Sequence, residues 1–319
     1  MKIVITDGNA VNPGDLSWDF LNPYGQVVVY PRTPAELAEE RLQGADIILI
    51  NKTPITAALL DKCPTIKLIC VLATGYNVVD CEAARARGIP VCNVPDYSTN
   101  SVAQFTFSLL LELCNGVGHH NRQVHDGAWS RCPDFCFWDT PQLELAGKTI
   151  GIIGFGRIGR TVGRIARAFG MEVLAYNRSR CPEGEAIGTY VDLDSLLQRS
   201  DVISLHCPLT PQTEGIIGAE TLSRMKDGAI LLNTARGPLL DETAVAEALR
   251  SGKLRGAASD VVSREPIDPA NPLLSAPNCI LTPHMAWAPI ESRQRILTCT
   301  TASIEGFLAG HPVNTVNGL

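Results

Sequence analysis

No apolar run in this chain approaches the roughly 18 residues of a membrane-spanning helix, so no bilayer span is expected. Positive charge is in deficit: 27 Lys and Arg stand against 33 Asp and Glu, a formal net charge of -6, and no basic run is present. That balance argues against a nucleic-acid partner and against a membrane-surface patch. Residues 1–8 turn polar too soon for a secretory signal and read as a strand. A disulfide framework is missing as well, because the 11 cysteines are odd in number and scattered. Cys70, Cys92, Cys207 and Cys279 lie in apolar surroundings and read as small core residues of a reducing, cytoplasmic protein. Cys132 and Cys136, the only close pair, lack C-x-x-C spacing, and no metal site is expected. No repeat at a 20–50 residue period is visible.

What is present is 319 residues with 45% apolar content, enough for two domains each with its own core. In the first hundred residues, β-rich apolar runs at 2–6, 27–30, 47–50, 68–72 and 89–92 alternate with helical stretches such as 34–42 and 56–62. The Thr33-Pro34 pair suits the N-cap and first position of the earlier helix. Alternation of this kind means βαβ units and a parallel sheet covered on both faces. A long apolar helix over 98–114 leads out, and 116–140 follows, too apolar for a solvent loop and too irregular for one helix. Such a segment packs on a sister domain or on another subunit.

A second series of strands is read at 149–153, 173–176, 202–205, 229–233, 257–261 and 280–281, with helices including 193–198 and 242–249. The fold class expected is α/β, with two doubly wound parallel-sheet domains. Residues 290–308 form a last helix with no strand to return to in the second sheet, so it is assigned to the first domain. The expected domains are therefore 1–97 plus 288–319, and 98–287.

The densest signal is Gly154-Phe155-Gly156-Arg157-Ile158-Gly159, which follows the strand at 149–153. After it Ile158, Val162, Ile165, Ala166 and Phe169 recur at helical spacing. Strand, glycine turn and helix together are the context in which this motif binds a dinucleotide. Gly154 allows the turn, Gly156 lets backbone approach a pyrophosphate, and Gly159 lets helix and strand pack closely. Polar residues just past the other strand ends are the remaining candidates: Asn177-Arg178-Ser179-Arg180, His206-Cys207-Pro208, Thr234-Ala235-Arg236-Gly237, Asp260 and His284. In the first domain the equivalent is Ala73-Thr74-Gly75-Tyr76-Asn77, whose amides offer themselves to an anion.

These residues resemble the D-isomer-specific 2-hydroxyacid dehydrogenase family over essentially the whole chain. The matching stretches are 71–77, Ser101-Val102-Ala103-Gln104, 154–159, Asn233-Thr234-Ala235-Arg236-Gly237, Asp260, Glu265-Pro266 and Pro283-His284. Within the family the chain is most similar to the glycerate dehydrogenase (hydroxypyruvate reductase) and glyoxylate reductase branch, on residues 129–138 and Trp287. The resemblance implies a Rossmann nucleotide-binding domain and a flavodoxin-like substrate domain, and the apolar segment 116–140 is expected to pack against a second copy of the chain, giving a homodimer. The resemblance makes His284 the general acid, Glu265 the carboxylate that orients it and favours the imidazolium, and Arg236 the partner of the substrate carboxylate. Lys52, Ala73, Thr74 and Gly75 are expected at the substrate, with Trp138 and Trp287 as pocket walls. At the cofactor it implies Thr106, the 154–159 turn, 177–180, 206–208, Thr213, Thr234, Ala235, Arg236, Asp260, His284 and Ala286.

Two departures stand out. Gln104 replaces the Glu of many relatives. Asn177 replaces the Asp that accepts a ribose 2′-OH in NAD-preferring sheets, and Arg178 and Arg180 follow it. The expectation is therefore reduction of hydroxypyruvate or glyoxylate with NADP(H) favoured and NAD(H) possible. A nucleotide-sensing transcriptional co-repressor on the same scaffold is the alternative.

Overall fold

The computed structural model describes every residue from Met1 to Leu319. The chain divides into two compact units, Met1–Ser98 with Ala288–Leu319, and Thr99–Trp287.

The first unit holds β1 (Lys2–Ile5), β2 (Gln26–Val29), β3 (Ile47–Ile50), β4 (Leu68–Val71) and β5 (Val91–Cys92), all parallel, in the order β2-β1-β3-β4-β5. β3 and β4 are buried at every position. Runs like these need cover on both faces, which crossover helices supply to parallel strands. Chain order reverses between β1 and β3, the place where open α/β sheets put their ligand residues. The last helix, Ile290–Leu308, packs against β4, and the tail beyond it lies along β5. There Asn93 donates to the Asn314 carbonyl, Val316 donates to that of Val91, and Asn317 bonds both Val91 and Ile89.

One helix start differs from expectation. Thr33 caps nothing: it is buried, and its hydroxyl donates to the Thr6 carbonyl at 2.7 Å. The stretch after it begins as a 3-10 turn, Ala35–Leu37, before the short helix Ala38–Leu42.

The second unit holds β6 (Thr149–Ile153), β7 (Glu172–Tyr176), β8 (Thr189–Tyr190), β9 (Val202–Leu205), β10 (Ala229–Asn233), β11 (Leu254–Ser259) and β12 (Cys279–Leu281). They run parallel in the order β12-β11-β10-β9-β6-β7-β8, reversing between β6 and β9. Side chains alternate between the faces: Ile153, Leu205 and Leu231 join one core, and Ile152, Ile230 and Leu232 the other. β8 is a two-residue edge that carries no periodicity to read. β11 starts three residues earlier than expected and stops at Ser259, because Asp260 turns to the segment that follows β12 and the Val261 carbonyl turns back to accept the Ser259 hydroxyl. Cys279 is only half-buried, being on the edge strand, while Cys70, Cys92 and Cys207 are buried as expected. Segment 116–140 contains a helix, Val117–His125, and a single turn, Trp129–Arg131.

Candidate active site

The glycine turn is built as its spacing implies. Gly154 has φ +93°, and a Cβ on it would lie 2.3 Å from the Cys207 nitrogen, so β6 and the turn after β9 meet backbone to backbone. A Cβ on Gly159 would lie 2.2 Å from the Gly154 carbonyl oxygen, which fixes how closely the helix Arg157–Ala168 approaches the turn. Gly156 differs: a Cβ there meets nothing within 4 Å. That open amide, at a helix start no side chain caps, fits an approaching diphosphate. Phe155 puts its ring in the core, edge-on to Tyr190 at 5.6 Å, and its N–H goes to Asn177 Oδ1 at 3.1 Å. Arg157 is exposed and Ile158 half-buried.

Past β7, Asn177 Nδ2 donates to the Ser179 carbonyl at 2.8 Å, so one side chain joins the glycine turn to the arginine turn. Arg178, Ser179 and Arg180 are exposed, and the Arg180 guanidinium lies 5.7 Å from the centre of the Tyr190 ring. Past β9, burial pushes the pKa of His206 down to about 3, so its ring is neutral, and Nε2 lies 2.8 Å from the Ser204 hydroxyl. Thr213 donates to the Pro208 carbonyl at 2.7 Å and so closes that loop. Past β10, Thr234 meets Thr106 hydroxyl to hydroxyl at 3.1 Å, and Asn233 shapes the turn by accepting from Ala235 N–H and donating to the Arg236 carbonyl. Arg236 is exposed and bonds only the carbonyl of Ala235, so no carboxylate of the chain neutralises it.

The acid–base pair stands beyond β11 and β12. His284 Nδ1 lies 2.8 Å from Glu265 Oε2, and Nε2 has no partner within the chain. The Glu265–Pro266 peptide is cis. His284 itself has φ +53°, a backbone conformation a non-glycine residue holds only when its surroundings impose it. Asp260 does so from a fully buried position. Its carboxylate accepts from the Thr282 hydroxyl (2.6 Å), Met285 N–H (2.9 Å) and Ala286 N–H (2.8 Å), and its carbonyl accepts from His284 N–H (2.8 Å). Asp260 and Ala286, both expected at the cofactor, are also bonded to one another. Trp287 is half-buried. Trp138 is 66% exposed, which excludes core packing, and the groove it lines with Val117, Val124, Trp129 and Phe137 contains none of Arg236, Glu265 or His284.

In the first unit, Lys52 is exposed and its ammonium is unpaired. The Thr74 and Gly75 amides have no acceptor in the chain, while Thr74 itself is fixed by its hydroxyl on the Val94 carbonyl and by Asn93 on its own carbonyl. Two residues here escaped the sequence reading. Asp7, buried just past β1, accepts the backbone N–H groups of Asn51, Lys52 and Thr53 at 2.9–3.0 Å, with the hydroxyls of Thr53 and Thr6. Burial works to raise its pKa, but the amides of Asn51, Thr53 and Lys52 and the Thr53 hydroxyl outweigh that and hold it below the ordinary value. Asn51 in turn donates to the Leu72 carbonyl at 2.9 Å, lacing the ends of β1, β3 and β4 together. An Asp at the end of a first strand was the available signal.

Residues 107–286 match the profile of the D-isomer specific 2-hydroxyacid dehydrogenase NAD-binding domain. A hydroxypyruvate reductase of Blautia hydrogenotrophica is 54% identical, with 99% of this chain and 100% of the relative aligned. A glycerate dehydrogenase of Methylorubrum extorquens is 42% identical over 99% and 98%. The solved structure of the TT0316 protein from Thermus thermophilus superposes with a TM-score of 0.88 at 35% identity, covering 99% of this chain and 100% of that one. With a domain profile over more than half its length and relatives of this identity end to end, the chain belongs to the D-isomer specific 2-hydroxyacid dehydrogenases.

Proposed function

We propose that this oxidoreductase reduces a small 2-keto acid, hydroxypyruvate or glyoxylate, to the D-2-hydroxy acid, using NADPH in preference to NADH. The observation that carries the reading is the His284–Glu265 pair with an unpartnered Nε2, on the same unit as the glycine turn. When bound there, the reduced nicotinamide supplies a hydride to the keto carbon. His284 Nε2 gives the proton that the carbonyl oxygen then needs, while Glu265 holds Nδ1 and so aims the ring. Arg236, with no carboxylate of its own, is suited to take that of the substrate in a bidentate fork. Within the first unit, the free amides of Thr74 and Gly75 beside Ala73, and the unpaired Lys52, are donors suited to an anion. Trp287 limits the side chain accepted, whereas Trp138 lines a groove apart from Arg236, Glu265 and His284.

The substrate class is supported by relatives named hydroxypyruvate reductase and glycerate dehydrogenase. A co-repressor role has no such support. NADPH preference is supported by neutral Asn177 and the exposed Arg178 and Arg180. Segment 116–140, with its exposed aromatic side chains, supports a homodimer. The test is turnover of purified protein on a keto-acid panel with each reduced cofactor. Hydroxypyruvate and glyoxylate should be used best, pyruvate and branched keto acids poorly. Equal turnover of phenylpyruvate and hydroxypyruvate would overturn the pocket argument, and no turnover at all would overturn the reading.

A further inference from the structure

We infer that Glu242 is a positioning residue of this active site, holding the loop that carries Glu265 and, through it, the His284 ring. The inference rests on the reading of the His284–Glu265 pair given above.

Glu242 opens the helix Glu242–Arg250, yet does not cap it. Asp241 does, accepting the N–H groups of Thr243 and Ala244 at 3.1 and 3.0 Å. The Glu242 carboxylate is therefore left over, and it reaches the loop after β11. Oε1 accepts the Ser263 N–H at 2.7 Å, and Oε2 accepts the Ser263 hydroxyl at 2.6 Å and the Asn271 amide at 2.9 Å. One carboxylate thus fastens both ends of 263–271, and Glu265 stands inside that span. It makes no ion pair, so all of its acceptor capacity goes to this loop.

Inside the loop, Val262 N–H donates to Glu265 Oε1 at 3.4 Å, Arg264 pairs with Asp268 at 3.0 Å, and Ala270 N–H donates to Asp268 Oδ1 at 2.9 Å. Ser263, Arg264, Glu265 and Pro266 are all exposed, so no core packing fixes them. A further constraint is Gly237, where a Cβ would lie 1.9 Å from the Val262 carbonyl carbon and 2.4 Å from the Ser263 nitrogen. The turn bearing Arg236 and the loop bearing Glu265 therefore touch through their backbones, and Glu242 presses the second against the first. Its carboxylate touches neither His284 nor Glu265, and acts through where it puts Ser263 and Asn271.

The test is a double-mutant cycle on keto-acid reduction. Glu242→Ala should lower kcat about 10- to 100-fold, the range for a misplacement of about 1 Å, with KM for cofactor and keto acid changed less than about threefold. In a Glu265→Ala background the same substitution should cost less than about twofold, because the group it positions is already gone. Glu242→Gln keeps one acceptor for Ser263 and should fall between. If Glu242→Ala does not fold, Glu242→Gln and Ser263→Ala carry the cycle. Wild-type kcat in Glu242→Ala, or equal losses in both backgrounds, would overturn the inference. His284→Ala is measured alongside: if it alone is inactive the failure lies with Glu242, and if it is fully active the reading of the pair fails first.

Discussion

The side-chain amide of Asn177 accepts the backbone N–H of Phe155 at 3.1 Å, tying the end of β7 to the glycine turn after β6. Its other end donates to Ser179. A carboxylate at 177 could keep the first bond but would face the Ser179 carbonyl with a second acceptor. It would also repel a 2′-phosphate. A charge-assisted bond to that phosphate is worth about 1.5–3 kcal/mol, or roughly ten- to a hundredfold. We expect wild-type kcat/KM to favour NADPH by about tenfold or more on that account. Asn177→Asp with Arg178→Ala should erase or reverse the preference and leave keto-acid KM alone. Wild-type preference for NADH would show that the arginines face away from the ribose.

His284→Ala should lower kcat for reduction by about 10²–10⁴ with cofactor binding little changed. Arg236→Lys should mainly raise substrate KM, since an ammonium cannot reproduce the fork. Because reduction consumes a proton, raising the pH should shift the balance from keto-acid reduction toward hydroxy-acid oxidation. An active His284→Ala enzyme with an unaltered pH profile would remove His284 from the mechanism.

Asp7 links stability to pH. Its folded pKa is below the unfolded value of 3.8, so its contribution is present above about pH 4 and is lost as pH falls below that. Asp7→Asn places an NH₂ group among donors and should cost about 3 kcal/mol at pH 7, measured by urea unfolding. The gap from wild type should narrow toward pH 3. A constant gap across that range would mean that Asp7 contributes as shape and not as charge.

Trp129, Phe135 and Trp138 are 52%, 89% and 66% exposed on segment 116–140. We expect an isologous dimer through this face, with Phe135→Asp shifting it toward monomer in light scattering. A monomeric wild type at micromolar concentration would rule the dimer out.

How much of this was legible depended on whether one element carried its own signal. β3, β6, β9 and β10 were readable to the residue because each is buried on both sides, leaving an unbroken apolar run. The helix Ile290–Leu308 was equally plain. Thr33 misled because a hydroxyl before proline looks the same whether it caps a helix or, as here, answers a strand-end carbonyl. Asp7, Ser263 and Glu242 were not singled out because their partners lie 44, 21 or more positions away, and no local pattern announces such a bond. Asp260 and Asn177 were noticed, but as cofactor contacts. Their part in bracing the backbone around them shows only once the turns are in place.

The tail along β5 bears on the order in which the molecule is completed during synthesis. The first unit begins to emerge before any of the second, yet its sheet lacks its last partner until residues 314–317 have been made, after all of Thr99–Trp287. Until then β5 offers an open strand edge, the kind that pairs with other chains. The second unit, continuous in sequence, is free to fold first. A ribosome stalled before residue 314 should thus hold a protease-resistant second unit and a cleavable first one, and crowding nascent chains together would endanger only the unit that started earliest.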